Sequence, residues 1–178
     1  TVEPETTEKL SLCYPDLHFI HNPEFLTART AFEDFHNQKH IVIGSSNKCP
    51  AHCTTGLHKF YEKYYPDAEI TSCSALESES MKMFVNSFYA VKVQFFNEIY
   101  LLCQKNGCDY EKVKYMMLKN GWINPMHTSV PGPDGQLSYG GACLPKDTQA
   151  LYHYMDEVGT FNNVLEATIN ERNKMRCD

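Results

Sequence analysis

The chain has 178 residues, of which 42% are hydrophobic and 21% charged, and its formal net charge at pH 7 is -6. This composition is typical of a globular protein long enough for a real core, in one ordinary domain or two small ones. The acidic balance gives no basic surface for nucleic acid or an anionic membrane. No apolar run approaches the ~20 residues of a membrane-spanning helix, and no signal peptide is visible. We therefore expect a cytoplasmic protein without nucleic-acid or membrane partners.

The eight cysteines are spaced irregularly along the chain. Without an export signal, this pattern favours reduced thiols over disulfides. Cys49 and Cys53, with His52 and His58 nearby, could suggest a metal site. A zinc site usually needs a second paired cluster, which the sequence lacks, so we predict ordinary helix positions and no metal.

The first part of the chain alternates short apolar runs with helical stretches. Strands are predicted at residues 16–20, 40–43 and 68–71, the second one ended by Gly44. Helices are predicted near residues 6–13 and 50–64. This alternation indicates an α/β arrangement with a small parallel sheet.

After Ser72 the pattern becomes helical. Ser74 and Glu77 form a capping box, which predicts a long helix over residues 75–105 that stops at Asn106-Gly107. Its apolar residues recur at steps of three and four and share one stripe: Phe84, Phe88, Val91, Phe95, Ile99 and Leu102. A helix of about thirty residues spans ~45 Å, which is longer than a small domain is wide. Such a helix usually crosses a subunit or domain boundary.

Three shorter helices are predicted after the long one. The first has Asp109 as its N-cap and ends near Gly121, and the last runs over residues 162–174. Between them, the turn-rich loop 130–135 leads into the segment Tyr139-Gly-Gly-Ala-Cys-Leu-Pro-Lys-Asp147. Because proline is favoured at the first helical position, Pro145 predicts a helix to about residue 157, with a stop at Gly159.

Cys143 lies beside the N-terminus of this predicted helix. Free backbone N–H groups and the nearby Lys146 would favour its thiolate form, which is the nucleophile. Gly140 and Gly141 would let a ligand approach the backbone closely. The alternative is a buried structural cysteine in a loop-to-helix turn.

Two further features are compatible with a site. Lys82 and Asn86 are four residues apart and share a face of the long helix, where they could stabilise a developing negative charge; the alternative is a solvated surface pair. Glu24, in Asn22-Pro-Glu-Phe-Leu26, follows a strand, where α/β proteins place ligands. The alternative for Glu24 is an acid that opens a helix.

Together these segments resemble the UDP-glucose/GDP-mannose dehydrogenase family, and most closely its UDP-glucose 6-dehydrogenase branch. The matching segments, in order along nearly the whole chain, are Thr1-Val2 with Pro4 and 6–10, 22–26 with Thr30-Ala31, 41–44, Lys82 with Asn86, Asn97-Glu98, 130–135 and 140–147. The cysteine motif is the most specific of them. The resemblance implies residues 1–73 as a remnant of an NAD-binding α/β domain, with a partial parallel Rossmann-like sheet. It implies residues 74–178 as an all-α central domain that forms a homodimer through the long helix.

The implied activity is a two-step, NAD-dependent oxidation of UDP-glucose to UDP-glucuronate. By resemblance, Cys143 would capture the aldehyde as a thiohemiacetal and then form a thioester. Further catalytic roles would fall on Lys82, Asn86, Asp147, Glu24 and Thr1. Substrate contacts would fall on Phe25, Leu26, Tyr139 and Gly140, and cofactor contacts on Thr1 and Lys146.

The departures from the family keep a second function open. No glycine-rich GxGxxG turn exists in the sequence, so we expect this chain alone to bind NAD⁺ weakly or not at all. Ala28 and Arg29 replace an acid and a glycine of the family, and His127 lies close to the place of a family arginine. The chain would then be a fragment or truncated form of the enzyme. The alternative is a catalytically inactive homologue that acts as a dimeric assembly or binding module.

Overall fold

The computed structural model describes residues 1–177. Its elements in chain order are α1 Thr6–Cys13, β1 Ile20–His21, α2 Ala31–His36, β2 His40–Ser45, α3 Ala51–Tyr64, β3 Glu69–Ser74, α4 Ala75–Asn106, α5 Tyr110–Leu118, α6 Leu144–Glu157 and α7 Asn163–Met175. The α/β class and the one long helix are thus confirmed. None of the helices in the described part combines the length and apolar character needed to cross a membrane.

The chain forms two compact units, which we call unit 1 (residues 1–83) and unit 2 (from residue 84 onward). The border between them lies inside α4. The sequence placed a border ten residues earlier, at the start of α4, and its interpretation as a cofactor-domain remnant followed by a dimerisation domain stays a prediction.

Unit 1 contains a three-stranded sheet in the order β1-β2-β3. Strands β2 and β3 are parallel, with Ile41 opposite Ile70, as predicted. The expected first strand, 16–20, is wrong in extent and direction: β1 pairs only Ile20 and His21 with β2, and the pairing is antiparallel. Pro23 cannot donate to a ladder, and the Asn22 side chain donates to the Val42 carbonyl oxygen instead (2.6 Å). The sheet is therefore mixed.

The core of unit 1 lies along β2. Ile41, Val42 and Ile43 are all at most 3% exposed, so the strand is covered on both faces, as expected of the central strand of a small sheet. Tyr61 of α3 packs against Ile41 and Ile43. The sequence missed α2, whose six residues are too few for a helical period to be visible.

Position 44, near the end of β2, has no room for a side chain and therefore requires glycine. A β-carbon at this position would meet the β-carbon of Ser78 in α4 and would lie 3.0 Å from the Ser74 carbonyl oxygen. The backbone of Gly44 is not in the left-handed region. The close approach of β2 to the start of α4 therefore depends on the missing side chain.

Both ends of α4 are capped as the sequence predicts. Ser74 N–H donates to Glu77 Oε2 (2.8 Å), and Glu77 N–H donates to Ser74 Oγ (3.2 Å), which forms the capping box. At the other end Gly107 has φ +71°, and the Cys108 N–H bonds the Cys103 carbonyl (2.8 Å) in a Schellman motif.

The predicted apolar stripe of α4 lies largely on its exposed side. Phe84, Phe88, Phe95 and Leu102 are each more than half exposed. Phe96, next to Phe95 of the stripe but on another face of the helix, is buried at 2% exposure in the core of unit 2 with Cys103, Tyr110 and Val130. Other buried residues of α4 in unit 2 are small or polar, among them Ala90, Gln94 and Asn97.

The shorter helices of unit 2 follow the sequence signals. Asp109 caps α5 by accepting N–H bonds from Glu111 and Lys112. Pro145 lies in the first turn of α6, which ends at Glu157 before Gly159 at φ +73°. Helices α6 and α7 pack against each other.

Candidate active site

Cys143 is the N-cap residue of α6, and its thiol is free and exposed. Gly141, two residues before it, has φ +79°, which glycine adopts at no steric cost. The predicted place at a helix N-terminus is thus confirmed. Its exposure excludes the alternative of a buried structural cysteine.

A buried polar pair ties α4 to the first turn of α6. Asn86 Nδ2 donates to Asp147 Oδ2 (2.6 Å), and these residues are 7% and 1% exposed. The other carboxylate oxygen of Asp147 pairs with the Lys146 ammonium, and the Asp147 N–H bonds the Cys143 carbonyl (2.9 Å). A buried carboxylate is costly unless such donors satisfy it. Asn86, Lys146 and Asp147 are therefore brought together within one turn of Cys143.

Lys82 is also buried, at 6% exposure, and its partners belong to the loop after β1. The ammonium donates to the Glu24 carbonyl oxygen (2.5 Å), lies 3.5 Å from Glu24 Oε1, and lies 5.0 Å from the centre of the Phe25 ring. Glu24 Oε2 accepts the Leu26 N–H (2.7 Å), so this acid does not open a helix. Since Lys82 and Asn86 are both buried, a solvated surface pair is excluded.

The remaining predicted residues of unit 1 are more open. Phe25 is 43% exposed, Leu26 is half-buried, and Thr1 is exposed at the chain start. Phe25 and Leu26 share the loop of Glu24, whereas Thr1 makes none of the contacts that hold Lys82.

Sequence reasoning missed a buried polar cluster next to Lys82 in unit 1. Glu79 is fully buried, and its Oε1 accepts the N–H (2.7 Å) and the hydroxyl (2.5 Å) of Thr7. His21 Nδ1 lies 2.8 Å from Ser78 Oγ. The spacing held a signal, because Glu79 lies three residues before Lys82 and therefore shares its face of α4.

Burial lowers the pKa of His21 below its ordinary value. The Glu79 carboxylate opposes this shift, while the Lys82 ammonium adds to it. His21 is therefore a neutral hydrogen-bonding partner of Ser78 near neutral pH.

In unit 2, the predicted contacts Tyr139 and Gly140 lie against two arginines that the sequence analysis missed. Tyr139 is 2% exposed, and burial raises the pKa of its phenol to about 12. Arg172 Nε donates to its carbonyl oxygen (3.3 Å), and the Arg176 guanidinium lies directly against Gly140. The available signal was the spacing of four that places Arg172 and Arg176 on one face of the helix end.

Within residues 1–177, no three side chains of His, Cys, Asp or Glu come together as metal ligands. Cys49, one of the residues considered for zinc, is half-buried, and burial raises the pKa of its thiol. Its sulfur lies 4.0 Å from Thr54 Oγ1.

Comparisons with known proteins identify the family of this chain. Residues 76–174 match the central domain of the UDP-glucose/GDP-mannose dehydrogenase family. A UDP-glucose 6-dehydrogenase of Bacillus subtilis is 31% identical over 88% of this chain and 33% of its own length, and one of Rickettsia bellii is 34% identical over 87% and 34%. The chain spans about a third of the length of these curated relatives.

Solved structures extend the likeness to the fold. A UDP-glucose dehydrogenase from Pyrobaculum islandicum has a TM-score of 0.86 at 28% identity, over 98% of this chain and 40% of that one. A UDP-D-ManNAc dehydrogenase from Pyrococcus horikoshii, at 20% identity, shares the fold with a TM-score of 0.80 over the same shares. The chain therefore belongs to the UDP-glucose/GDP-mannose dehydrogenase family.

Proposed function

We propose that this chain is part of a UDP-glucose 6-dehydrogenase that oxidises the primary alcohol at C6 of UDP-glucose to the carboxylate of UDP-glucuronate. The observation that carries the proposal is the buried Asn86–Asp147 pair, which fixes the first turn of the helix capped by the exposed Cys143. A thiol at a helix N-terminus beside a held carboxylate is an arrangement suited to covalent catalysis followed by hydrolysis.

In this proposal Cys143 retains the intermediate between two oxidations. The thiolate adds to the carbonyl carbon of the C6 aldehyde, and the oxygen takes a proton to give a thiohemiacetal. Loss of hydride from C6 and of the hydroxyl proton gives a thioester, and water then cleaves it to the carboxylate, the free thiol and a proton. The family resemblance implies NAD⁺ as the hydride acceptor of both oxidations.

The roles of the neighbouring residues follow from their donors and acceptors. Asn86 has a second amide N–H that can donate to a developing oxyanion, while Asp147 can orient the hydrolytic water. Lys82, in unit 1, is proposed as an oxyanion donor on the family resemblance alone; its ammonium is held by Glu24. Thr1 is proposed to complete the water network on the resemblance alone.

The residues present do not by themselves make a nucleotide cradle. The connection from β2 to α3 is Ser46-Asn-Lys-Cys-Pro50, which contains no glycine to expose its backbone donors to a pyrophosphate. Lys146, a proposed cofactor contact, pairs with Asp147. We therefore propose only Thr1 and Lys146 of this chain as contacts of NAD⁺.

Thiol labelling tests the proposal directly. The rate of iodoacetamide labelling at Cys143 is measured by peptide mass spectrometry with and without UDP-glucose, and the exposed Cys108 is the internal reference. We expect UDP-glucose to slow labelling of Cys143 alone, and GDP-mannose to protect it less. Equal labelling at millimolar UDP-glucose would contradict the proposed substrate.

We also propose a homodimer built on α4, because Phe84, Phe88 and Phe95 present an exposed aromatic surface along one side of this helix. The same surface favours the second candidate function, an inactive dimeric assembly module. Substrate protection of Cys143 separates the two, since an assembly module needs no sugar-nucleotide site at this thiol.

A further inference from the structure

Residues 137–140 lead into the helix start at Cys143. The backbone carbonyls of residues 137, 138 and 139 accept hydrogen bonds from Arg172, in α7, and Arg176, which follows α7. The guanidinium of Arg176 donates to the carbonyl oxygens of Leu137 (3.3 Å) and Ser138 (3.4 Å). Arg172 Nε donates to the next carbonyl, that of Tyr139 (3.3 Å). Three consecutive carbonyls therefore share two buried arginines.

The same segment also forms hydrogen bonds with α4. The Ser138 N–H donates to Asn97 Oδ1 (2.8 Å), and the Ser138 hydroxyl donates to Gln94 Oε1 (2.5 Å). Ser138 has φ +59°, a left-handed conformation that a serine rarely adopts. Such a conformation persists only where the surroundings impose it, and here the bonds from α4 and from Arg176 do so.

Arg176 also contacts Asp134, before residues 137–140, and Gly140, the last of them. Its side chain is 2% exposed and its Nη2 lies 2.6 Å from Asp134 Oδ2, in the turn before the segment. At the other end, a β-carbon on Gly140 would meet the guanidinium. Only Gly141 and Ala142 then separate this contact from Cys143.

We propose that Arg176 is a positioning residue for Cys143: its guanidinium fixes residues 137–140, and through them the entry of the chain into α6 that sets Cys143 at the N-cap. The catalytic role of Cys143 in this inference rests on the proposed function. The contacts of Arg176 with residues 134–140 do not depend on that function. An arginine suits this task because its planar fork can serve several acceptors at once. A lysine keeps the charge for Asp134 but offers a single nitrogen to the two carbonyls.

Two substitutions displace the guanidinium in different ways. Arg176→Lys keeps the charge and removes the fork. Gly140→Ala keeps the arginine but introduces a methyl group where the guanidinium lies, and the flexible end of the side chain must then move away. Lys174→Gln is the matched control, because it removes an exposed cation of the same helix that pairs only with Glu171 among the ion pairs of the described residues.

The readout is the rate of iodoacetamide labelling at Cys143, measured by peptide mass spectrometry well below the melting temperature of each variant. We expect Arg176→Lys and Gly140→Ala each to slow it about fivefold or more, because a displaced thiol moves away from the free backbone N–H groups at the start of α6. The rate at Cys108 and the rates of Lys174→Gln should stay at wild-type values. An arginine that only stabilised the fold would lower the melting temperature and leave the Cys143 rate unchanged.

Unchanged Cys143 labelling in folded Arg176→Lys and Gly140→Ala would overturn the proposal. If Arg176→Lys does not fold, Gly140→Ala decides, together with Asp134→Ala, which removes the carboxylate that pairs with the guanidinium from an exposed turn. Because no sugar nucleotide is used, this result is independent of substrate protection, whose failure would count against the proposed function alone.

Discussion

Buried charged side chains of this chain are held by specific partners. Lys82 lies among acceptors of the loop after β1, Glu79 accepts two bonds from Thr7, and Asp147 accepts from Asn86 and Lys146. Such groups would cost several kcal/mol if they were buried without these donors and acceptors. The stability of each unit therefore depends on a few polar contacts as well as on its apolar core.

We predict that Thr7→Val lowers the free energy of unfolding of unit 1 by about 1–3 kcal/mol, because the buried Glu79 carboxylate loses its hydroxyl donor. Urea unfolding followed by circular dichroism measures the change. Thr55→Val is the matched control, since its exposed hydroxyl only bonds the Ala51 carbonyl within α3. Equal effects of the two substitutions would argue against a stabilising role of the Thr7–Glu79 contact.

His127 should make the protein sensitive to mild acid. Burial lowers the pKa of its imidazole below the ordinary 6.5, and the nearby Lys92 ammonium adds to this shift. The unfolded chain therefore binds the proton more readily, so the contribution of His127 to stability is present above pH 6.5 and is lost as the pH falls below it.

An NMR titration of the His127 ring tests this directly, and its midpoint should lie below 6.5. In His127→Gln, unfolding should depend less on pH between 5 and 7, the range in which histidines titrate. Tyr89 stacks on the ring at 4.4 Å between centres, so Tyr89→Leu should raise the midpoint by admitting water. A midpoint at or above the ordinary value in the wild type would refute the prediction.

At the scale of elements, the sequence predicted those helices whose ends have capping residues, an N-terminal proline or a C-terminal glycine. The capping box and Gly107 define α4, and Pro145 with Gly159 defines α6. By contrast, the direction of β1 depends on a long-range pairing with β2 and on the Asn22 side chain. No local pattern contains that information, and the six residues of α2 are too short to show a period.

The N-cap of α5 offers a test at this scale. Asp109→Ala should destabilise unit 2 by about 1 kcal/mol, because the N–H groups of Glu111 and Lys112 lose their acceptor. Asp109→Ser should retain most of the stability, since a serine hydroxyl also caps. Both are measured as shifts of the thermal unfolding midpoint. Equal losses for alanine and serine would mean that the carboxylate acts in another way.

At the scale of the whole molecule, the residues that form and support the candidate site could be predicted only in part from the sequence. The cysteine motif and the spacing of Lys82 and Asn86 identified residues that are buried or placed at a helix end. Arg172 and Arg176 could not be identified in this way, because their importance comes from the fold of residues 137–140 onto α7. The exposed side of α4 was predicted as a stripe, but its exposure required the structure.

We predict that the chain is a dimer and that Phe88→Glu with Phe95→Glu makes it a monomer. The added charges would be buried against the partner helix, which is costly. Light scattering should give twice 20.5 kDa for the wild type and 20.5 kDa for the double variant. Phe32→Glu, at another exposed phenylalanine, is the control and should stay dimeric. A monomeric wild type would contradict the prediction.

The contact between Gly44 and Ser78 has a consequence for the tolerance of this chain to mutation. The first turns of α4 occupy the volume that even a methyl group at position 44 would need, and a backbone oxygen forms part of that boundary. The smallest substitution must therefore separate the helix from the sheet. In a library of all substitutions, position 44 should accept glycine alone, although its backbone conformation is open to every amino acid.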